Sequence, residues 1–511
     1  MSHHNKMNIK QTCLLWFVAL VVAQLVAWTL LPKLLLHGTY VDILENLAWG
    51  SHWQLGYDKD PFLGAWVTRA AYLLTGKSIW SLYLMSQVSI CLCFFATWQL
   101  AKRMLPPVKA LISVTLLIGI FYFSASSPEF NDNVLELPLW AFTLLFFYDA
   151  IKQQDIKKWA LTAIFAGLAL MAKYYSVMLL ASMFIFLLVN PMGRRSFKSI
   201  GPYLCLIVFA LIVTPNLRWL AQHNFVSIHY AFNRASLDKS ALSSLFDHIL
   251  NPLHFLLLMI GMAAIPTVVY FACFKRIKAT VSVPTYDKQF IAIHCFGPLV
   301  LTCLFSFATG ASLRLFWGTP LLTLFGIWLV LTLNPTPTQA ALKRYAIISV
   351  SLFIFWLFAY VLLETVYPFM INRGDALYEL FPGKQVAQQI DTLWHQHYQT
   401  PLKYVAGTRE YVVSVTVFSK DHPAGYFEWN PNFSQWINEK DLRQQGAVFM
   451  WKARNSKTSI PTTIAQRFPS AKFVGTYQFN YVLNPWITHW INFKPIPPVY
   501  IGVALLPPRG Q

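Results

Sequence analysis

Apolar runs about as long as the ~20 helical residues that cross ~30 Å of hydrocarbon recur from the N-terminus to about residue 366. They predict about eleven spans, at 12–32, 78–100, 108–125, 134–151, 158–172, 174–190, 199–215, 252–273, 290–308, 315–333 and 345–366. The first is longer than a signal-peptide core, lacks a small-residue cleavage site and is followed by further spans, so it is expected to be retained. From residue 368 onward the pattern changes to short alternating runs, many prolines and mixed charge. There KQVAQQIDTLWHQH (384–397) has helical spacing. KYVAG (403–407), YVVSVTVF (411–418), AVFMW (447–451), FVGTYQF (473–479) and PVYIGVALL (498–506) read as strands. The expected fold class is an α-helical polytopic membrane protein with a C-terminal soluble α/β domain. Residues 1–367 form the membrane part, with a first outer loop at 33–77, and 368–511 the appended domain.

Composition agrees, with 56% hydrophobic residues against 12% charged and a mean hydropathy of +0.47, far from soluble-domain averages. The formal charge of +19 is not read as nucleic-acid affinity, because much of it sits in alternate loops, as the positive-inside rule requires. These loops carry Lys6 and Lys10; Lys102, Arg103 and Lys109; Lys152, Lys157 and Lys158; Arg194, Arg195 and Lys198; Lys275, Arg276 and Lys278; Lys343 and Arg344. Assigning them to the cytoplasm places the N-terminus inside and the C-terminal domain outside. The opposite side still holds Lys33, Lys59, Arg69, Lys77, Lys173, Arg218, Arg234, Lys239 and Arg314. That surplus fits an anionic headgroup or phosphate partner. All 7 cysteines lie in or beside apolar spans, so no disulfide is expected in the C-terminal domain, and no His/Cys spacing suggests a zinc or iron site.

Candidate chemistry gathers at the outer ends of the spans. VDILENLAWGSHWQLGYDKDP (41–61) follows the first span and mixes Asp42, Glu45, Asp58, Lys59 and Asp60 with Trp49, Trp53 and Tyr57. Asp42 and Glu45 share one helical face. Asn131 and Asp132 close an outer loop, and Glu136 lies one turn further on. Lys173 interrupts an apolar stretch where an unpaired ammonium costs roughly 2.5–3.5 kcal/mol; it either meets an anionic partner or snorkels to the interface. TPNLRWLAQHNFVSIHYAFNR (214–234) is either part of a site or an interfacial amphipathic helix. Arg314 is suited to clamp a phosphate.

In these residues the chain resembles the GT-C membrane glycosyltransferases, in particular bacterial relatives of dolichyl-phosphate-mannose protein mannosyltransferases and of the lipid A aminoarabinose transferase. In those families an acidic residue follows the first span, and a pattern like W-x-x-G-Y-x-x-H-P-P-L comes next. Here the matching residues are Asp42, Glu45, Trp53, Gly56, Tyr57, Pro61, Leu63 and Trp66. Asp60 and Phe62 replace the usual His or Lys and second Pro, with Lys59 adjacent. Asn131-Asp132-Asn133 matches the family's later Asp, and GLALMAKYY its G-L-x-x-L-x-K motif, with Lys173 as the lysine. TPNLRWLAQHNFVSIHY matches a P-x-x-x-W-N-x-x-H-x-W-x-S-F pattern, with Leu220 and Phe225 as substitutions. Arg314, Trp317 and Pro320 match a later outer-loop pattern. The mannosyltransferases' adjacent Asp-Glu pair is here Asp42-Ile43, with a carboxylate recurring at Glu45.

The resemblance implies a sugar donor linked to polyprenyl phosphate and an acceptor that is lipid A or another envelope glycan or lipid, less readily a protein. The place of action would be the periplasmic face of a bacterial inner membrane. It assigns the catalytic carboxylate to Asp42 and the donor phosphate to Lys173 and Arg314, with Lys59 and Arg234 next. Glu45, Tyr57, Asp60, Asp132, Glu136, Tyr174 and His223 are left for the sugar or acceptor. A cofactor-independent reaction is expected, although the acidic residues could support a divalent metal ion. The C-terminal domain would cap the site or help choose the acceptor, and its Trp429, Trp436, Trp451, Trp486 and Trp490 suit core or membrane-facing positions better than sugar platforms. The competing class is a lipid transporter or flippase, which would place ionisable residues near the bilayer midplane on paired halves; this chain shows no repeat and keeps them at one side.

Overall fold

The computed structural model describes residues 3–235, 241–274, 284–366, 378–455, 459–482 and 496–509. Lys239, Lys275, Arg276, Lys278, Trp486 and Trp490 lie outside them. In the membrane part the helices are α1 (His3–Leu35), α2 (Val41–Gly50), α3 (Leu63–Leu74), α4 (Trp80–Met104), α5 (Pro107–Thr115), α6 (Asp132–Gln153), α7 (Ile156–Ala172) and α8 (Val177–Val189). They continue with α9 (Pro191–Ser196), α10 (Gly201–Gln222), α11 (Val226–Arg234), α12 (Ala241–Cys273), α13 (Thr285–Thr309), α14 (Phe325–Leu333) and α15 (Gln339–Thr365).

Among the described residues, 7 helices are long and apolar enough to cross a membrane, or 8 if Leu315–Leu322 and α14, bent by 47°, form one span. The other expected crossings fall on shorter apolar helices, Pro107–Gly119 and Tyr174–Val189 and the 17-residue α7. Non-helical breaks at this depth persist where protein covers the backbone, and the break between α7 and α8 is where Lys173 sits.

The chain divides into two compact units. One comprises Met1–Leu31, Lys59–Gly64 and Tyr83–Ala359; the other comprises Pro32–Asp58, Ala65–Leu82 and Tyr360–Gln511. In the first, α6 is apolar all round and buried along nearly its whole length, as a central helix of a bundle must be. It packs on α7, which packs on α10. Some of the loop cations are paired at the helix ends: Arg103 with Asp149 (2.9 Å) and Lys152 with Asp287 (3.3 Å).

In the second unit, first-loop segments cluster with the C-terminal residues. The elements there are α16 (Gly383–His397), β1 (Tyr404–Gly407), α17 (Arg409–Phe418), β2 (Ala424–Phe427), α18 (Glu439–Gln445), β3 (Ala447–Ala453), α19 (Thr462–Arg467), β4 (Lys472–Phe479) and β5 (Val499–Leu506). The strands form one sheet of order β2-β1-β3-β5-β4. β1 is parallel to both β2 and β3, while β5 is antiparallel to β3 and β4. Ala406, Phe449 and Ala504 on one face meet Leu442 of α18 and Ile464 and Phe468 of α19 in a closed core, where Trp451 is also buried. Trp429 packs against its edge.

The expected strand at 411–418 is a correction: it is helix α17. Its β-branched residues favour a strand by composition, but Tyr411, Val412, Val413, Ser414, Val415, Thr416 and Val417 are all buried. α17 is enclosed by α2, α16 and the sheet, so it shows no amphipathic period and tertiary packing overrides propensity. The strand between the two parallel neighbours' connections, Ala424–Phe427, is a short run that alternation alone did not flag.

Candidate functional site

In the membrane unit, polar side chains collect where α6 begins and where α7 and α10 end. Asn131 caps α6, its Oδ1 accepting the Val134 N–H (3.2 Å). This starts the helix with Asp132 in its first turn, where a carboxylate favours the helix dipole. One residue on, Asn133 Oδ1 accepts a hydrogen bond from Lys173 Nζ (2.5 Å). Lys173 leaves α7 in extended conformation, φ −155° and ψ 132°, so its ammonium emerges at a chain break rather than from a helix flank.

Glu136 is fully buried. Its Oε1 accepts from Trp140 Nε1 (2.9 Å) and Ser176 Oγ (2.5 Å), while Oε2 has no hydrogen-bond partner among the described residues. Lys173 and Asp60 both lie within electrostatic range of Glu136. The Tyr174 hydroxyl donates to Asn216 Oδ1 (3.0 Å) and also engages Ser227, which ties the break after α7 to α10 and α11. Tyr175 pairs with Thr302 (2.7 Å) and lies 6.4 Å from the Trp317 ring.

Lys59 lies over the Tyr230 ring of α11 (5.7 Å), an attraction of the cation–π type. Arg234, at the end of the same helix, is exposed, and its carbonyl accepts a long hydrogen bond from Arg314 Nη2 (3.4 Å). The structure therefore brings Asp60, Asp132, Glu136, Lys173 and Tyr174 to one neighbourhood of this unit and sets Lys59, Arg234 and Arg314 along α11. His223 is occupied differently, with Nδ1 bonded to the Trp219 carbonyl (2.8 Å) and its ring stacked on Trp219 (4.2 Å).

In the second unit, α2 carries Asp42 in its first turn and Glu45 one turn later. The end of α2 is held close to α3: a Cβ on Gly50 would lie 2.4 Å from the Ala65 carbonyl oxygen. Asp42 is half-buried, whereas Glu45 and Asp58 are buried. Arg409, the first residue of α17, reaches both carboxylates, with Nη2 to Asp58 Oδ2 at 2.5 Å and Nη1 to Glu45 Oε1 at 3.3 Å. Its guanidinium also faces the Phe427 ring (4.8 Å) and the Phe433 ring (5.6 Å). The Arg409 N–H donates to Glu428 Oε1 (3.0 Å), and burial pushes the Glu428 carboxyl above its usual range.

Tyr57 is buried, stacked on Trp49 (5.3 Å), and burial raises its hydroxyl pKa. His52 stacks on Trp436 (4.9 Å). Burial, then the neighbouring Arg69 charge, lower the imidazole pKa to about 4.

Sequence reasoning missed Arg409, because a segment read as a strand offered no reason to link TREY to the first loop. It also missed Asn133, Ser176 and Asn216 as partners of Lys173, Glu136 and Tyr174; their signal was adjacency to residues already singled out. Among the described residues, no three His, Cys, Asp or Glu side chains are grouped to hold a metal ion.

A family model described as dolichyl-phosphate-mannose-protein mannosyltransferase matches residues 59–219. With the helical fold and its appended sheet, the chain is similar to multi-pass membrane glycosyltransferases of the GT-C class. The lipid A galacturonosyltransferase RgtD of Rhizobium johnstonii is 23% identical over 352 residues, 68% of this chain and 70% of that protein. Two crystal structures of ArnT from Cupriavidus metallidurans share the fold at TM-score 0.59, covering 97% of this chain and 98% of that one. One is bound to undecaprenyl phosphate (14% identical) and the other is in the apo state (13% identical).

Proposed function

We propose that this protein moves a sugar from a polyprenyl-phosphate donor to lipid A or another envelope glycan or lipid, at the periplasmic face of a bacterial inner membrane. The observation that carries the reading is Lys173: an ammonium placed at a break in an apolar stretch, bonded to neutral Asn133. Such a cation is suited to receive the charge of a lipid-linked phosphate. The relatives that support the donor and acceptor classes are the ArnT structure with undecaprenyl phosphate and the lipid A galacturonosyltransferase.

As the glycosidic bond breaks, negative charge grows on the leaving polyprenyl phosphate, and positioned cations stabilise that charge. Lys173 takes this role first and Arg314, Lys59 and Arg234 assist. Asp60, Asp132, Glu136 and Tyr174 present oxygens to sugar hydroxyls or to an amino-sugar ammonium. Asp42 is the catalytic carboxylate. Toward a hydroxyl acceptor it removes the proton as the new bond forms, with inversion at the anomeric carbon. Toward a lipid A phosphate, whose second pKa is near ~6, little proton removal is needed, and Asp42 orients the acceptor.

Mass spectrometry of envelope lipids and glycans with and without the gene tests this reading, because it identifies sugar and acceptor together. A sugar-bearing lipid lost on deletion and restored by the wild-type gene but not by Asp42→Asn is the expected result. An unchanged lipid and glycan profile would overturn it, as would full restoration by Asp42→Asn for the catalytic role.

A further inference from the structure

We infer that Arg409 is a positioning residue for the transfer reaction: from the first turn of α17 it holds the acidic face of α2, and with it Asp42. This rests on the reading of Asp42 as the catalytic carboxylate. Glu45 lies one turn after Asp42 on α2, and Asp58 ends the loop that follows. Their side chains are only 4% and 1% exposed, and the Arg409 side chain that reaches both is 12% exposed.

Two carboxylates in so dry a setting repel one another and lack hydration, so a charge that satisfies both is needed to keep them there. A guanidinium does this through its planar fork, which an ammonium lacks. Arg409 is itself fixed from behind: Phe427 and Phe433 cover its faces, and its backbone N–H is bound by Glu428. α17 packs directly on α2. The bend of the first loop and the orientation of α2 are thereby set by a residue more than 350 positions away in the chain (|i−j| = 351 to Asp58, 364 to Glu45). Glu45 is consequently a partner of Arg409 rather than a ligand for the sugar.

The test compares wild type, Arg409→Met, Glu45→Gln/Asp58→Asn, and the combination of all three substitutions, each as the full chain in detergent. Arg409→Met removes the guanidinium charge from two buried carboxylates and should lower Tm by roughly 3–5 °C. Neutralising both carboxylates in the same protein should restore most of that loss. Additive Tm changes would overturn the ion triad, whatever reaction the protein catalyses.

With wild-type transfer from undecaprenyl-phosphate-linked sugar established, the folded fraction of Arg409→Met should lose about 100-fold in kcat, as for a misplaced catalytic group, with donor KM little changed. A merely structural role would leave kcat per folded molecule intact. An unchanged kcat, or a loss confined to donor KM, would overturn the positioning role. Absence of transfer in the wild type would instead count against the proposed function, and the Tm comparison would still decide the triad.

Discussion

Lys173 and His52 show how differently two basic side chains serve when one has a neutral hydrogen-bond partner and the other is stacked on an indole. Lys173, bonded to Asn133, sits at the edge of an apolar stretch. Lys173→Ala should lower kcat/KM for the donor by about 100-fold, and Arg314→Ala, at an exposed position, should cost less; steady-state kinetics with varied donor checks both. His52 is held neutral by burial and by Arg69, with a pKa lowered from 6.5 to about 4. Between those values the unfolded chain binds a proton that the folded chain does not, so its stability is complete above pH 6.5 and declines as pH falls toward 4. The effect reaches roughly 3 kcal/mol. Melting curves across that pH window should show a shallower acid loss for His52→Phe than for the wild type.

At the scale of elements, α2 depends on a close approach. Because a Cβ at Gly50 would meet the Ala65 backbone oxygen at 2.4 Å and Arg69 Cβ at 2.5 Å, Gly50→Ala should push α2 from α3. The expected outcome is a loss of about 1–3 kcal/mol with reduced transfer; thermal unfolding and activity of the purified variant check it. The same scale explains what the sequence made legible. Asp42 and Glu45 on one helical face, Glu136 one turn beyond Asp132, and Lys173 between the spans expected at 158–172 and 174–190 are legible in the sequence, because charges inside or beside apolar runs have few places to go. α17 was misread because a helix enclosed on all sides has no polar face to give it a period. The hydrogen bonds of Ser176 and Asn216 were invisible for a related reason: hydroxyls and amides inside spans carry no charge penalty that would mark them.

For the whole molecule, the distribution of lysine and arginine predicts an orientation, and Arg103 with Asp149 and Lys152 with Asp287 are paired at one set of helix ends. The expected topology has the N-terminus in the cytoplasm and residues after 368 in the periplasm. Alkaline phosphatase fused after residue 509 should be active and a fluorescent protein fused there dark; the reverse pattern would refute that orientation. The long-range ion triad also bears on ancestry and engineering. A C-terminal domain exchanged between relatives would keep the triad only if it brought an arginine in register with its new host's first loop. Functional chimeras should therefore be recovered only when the loop and the graft are inherited as a matched set.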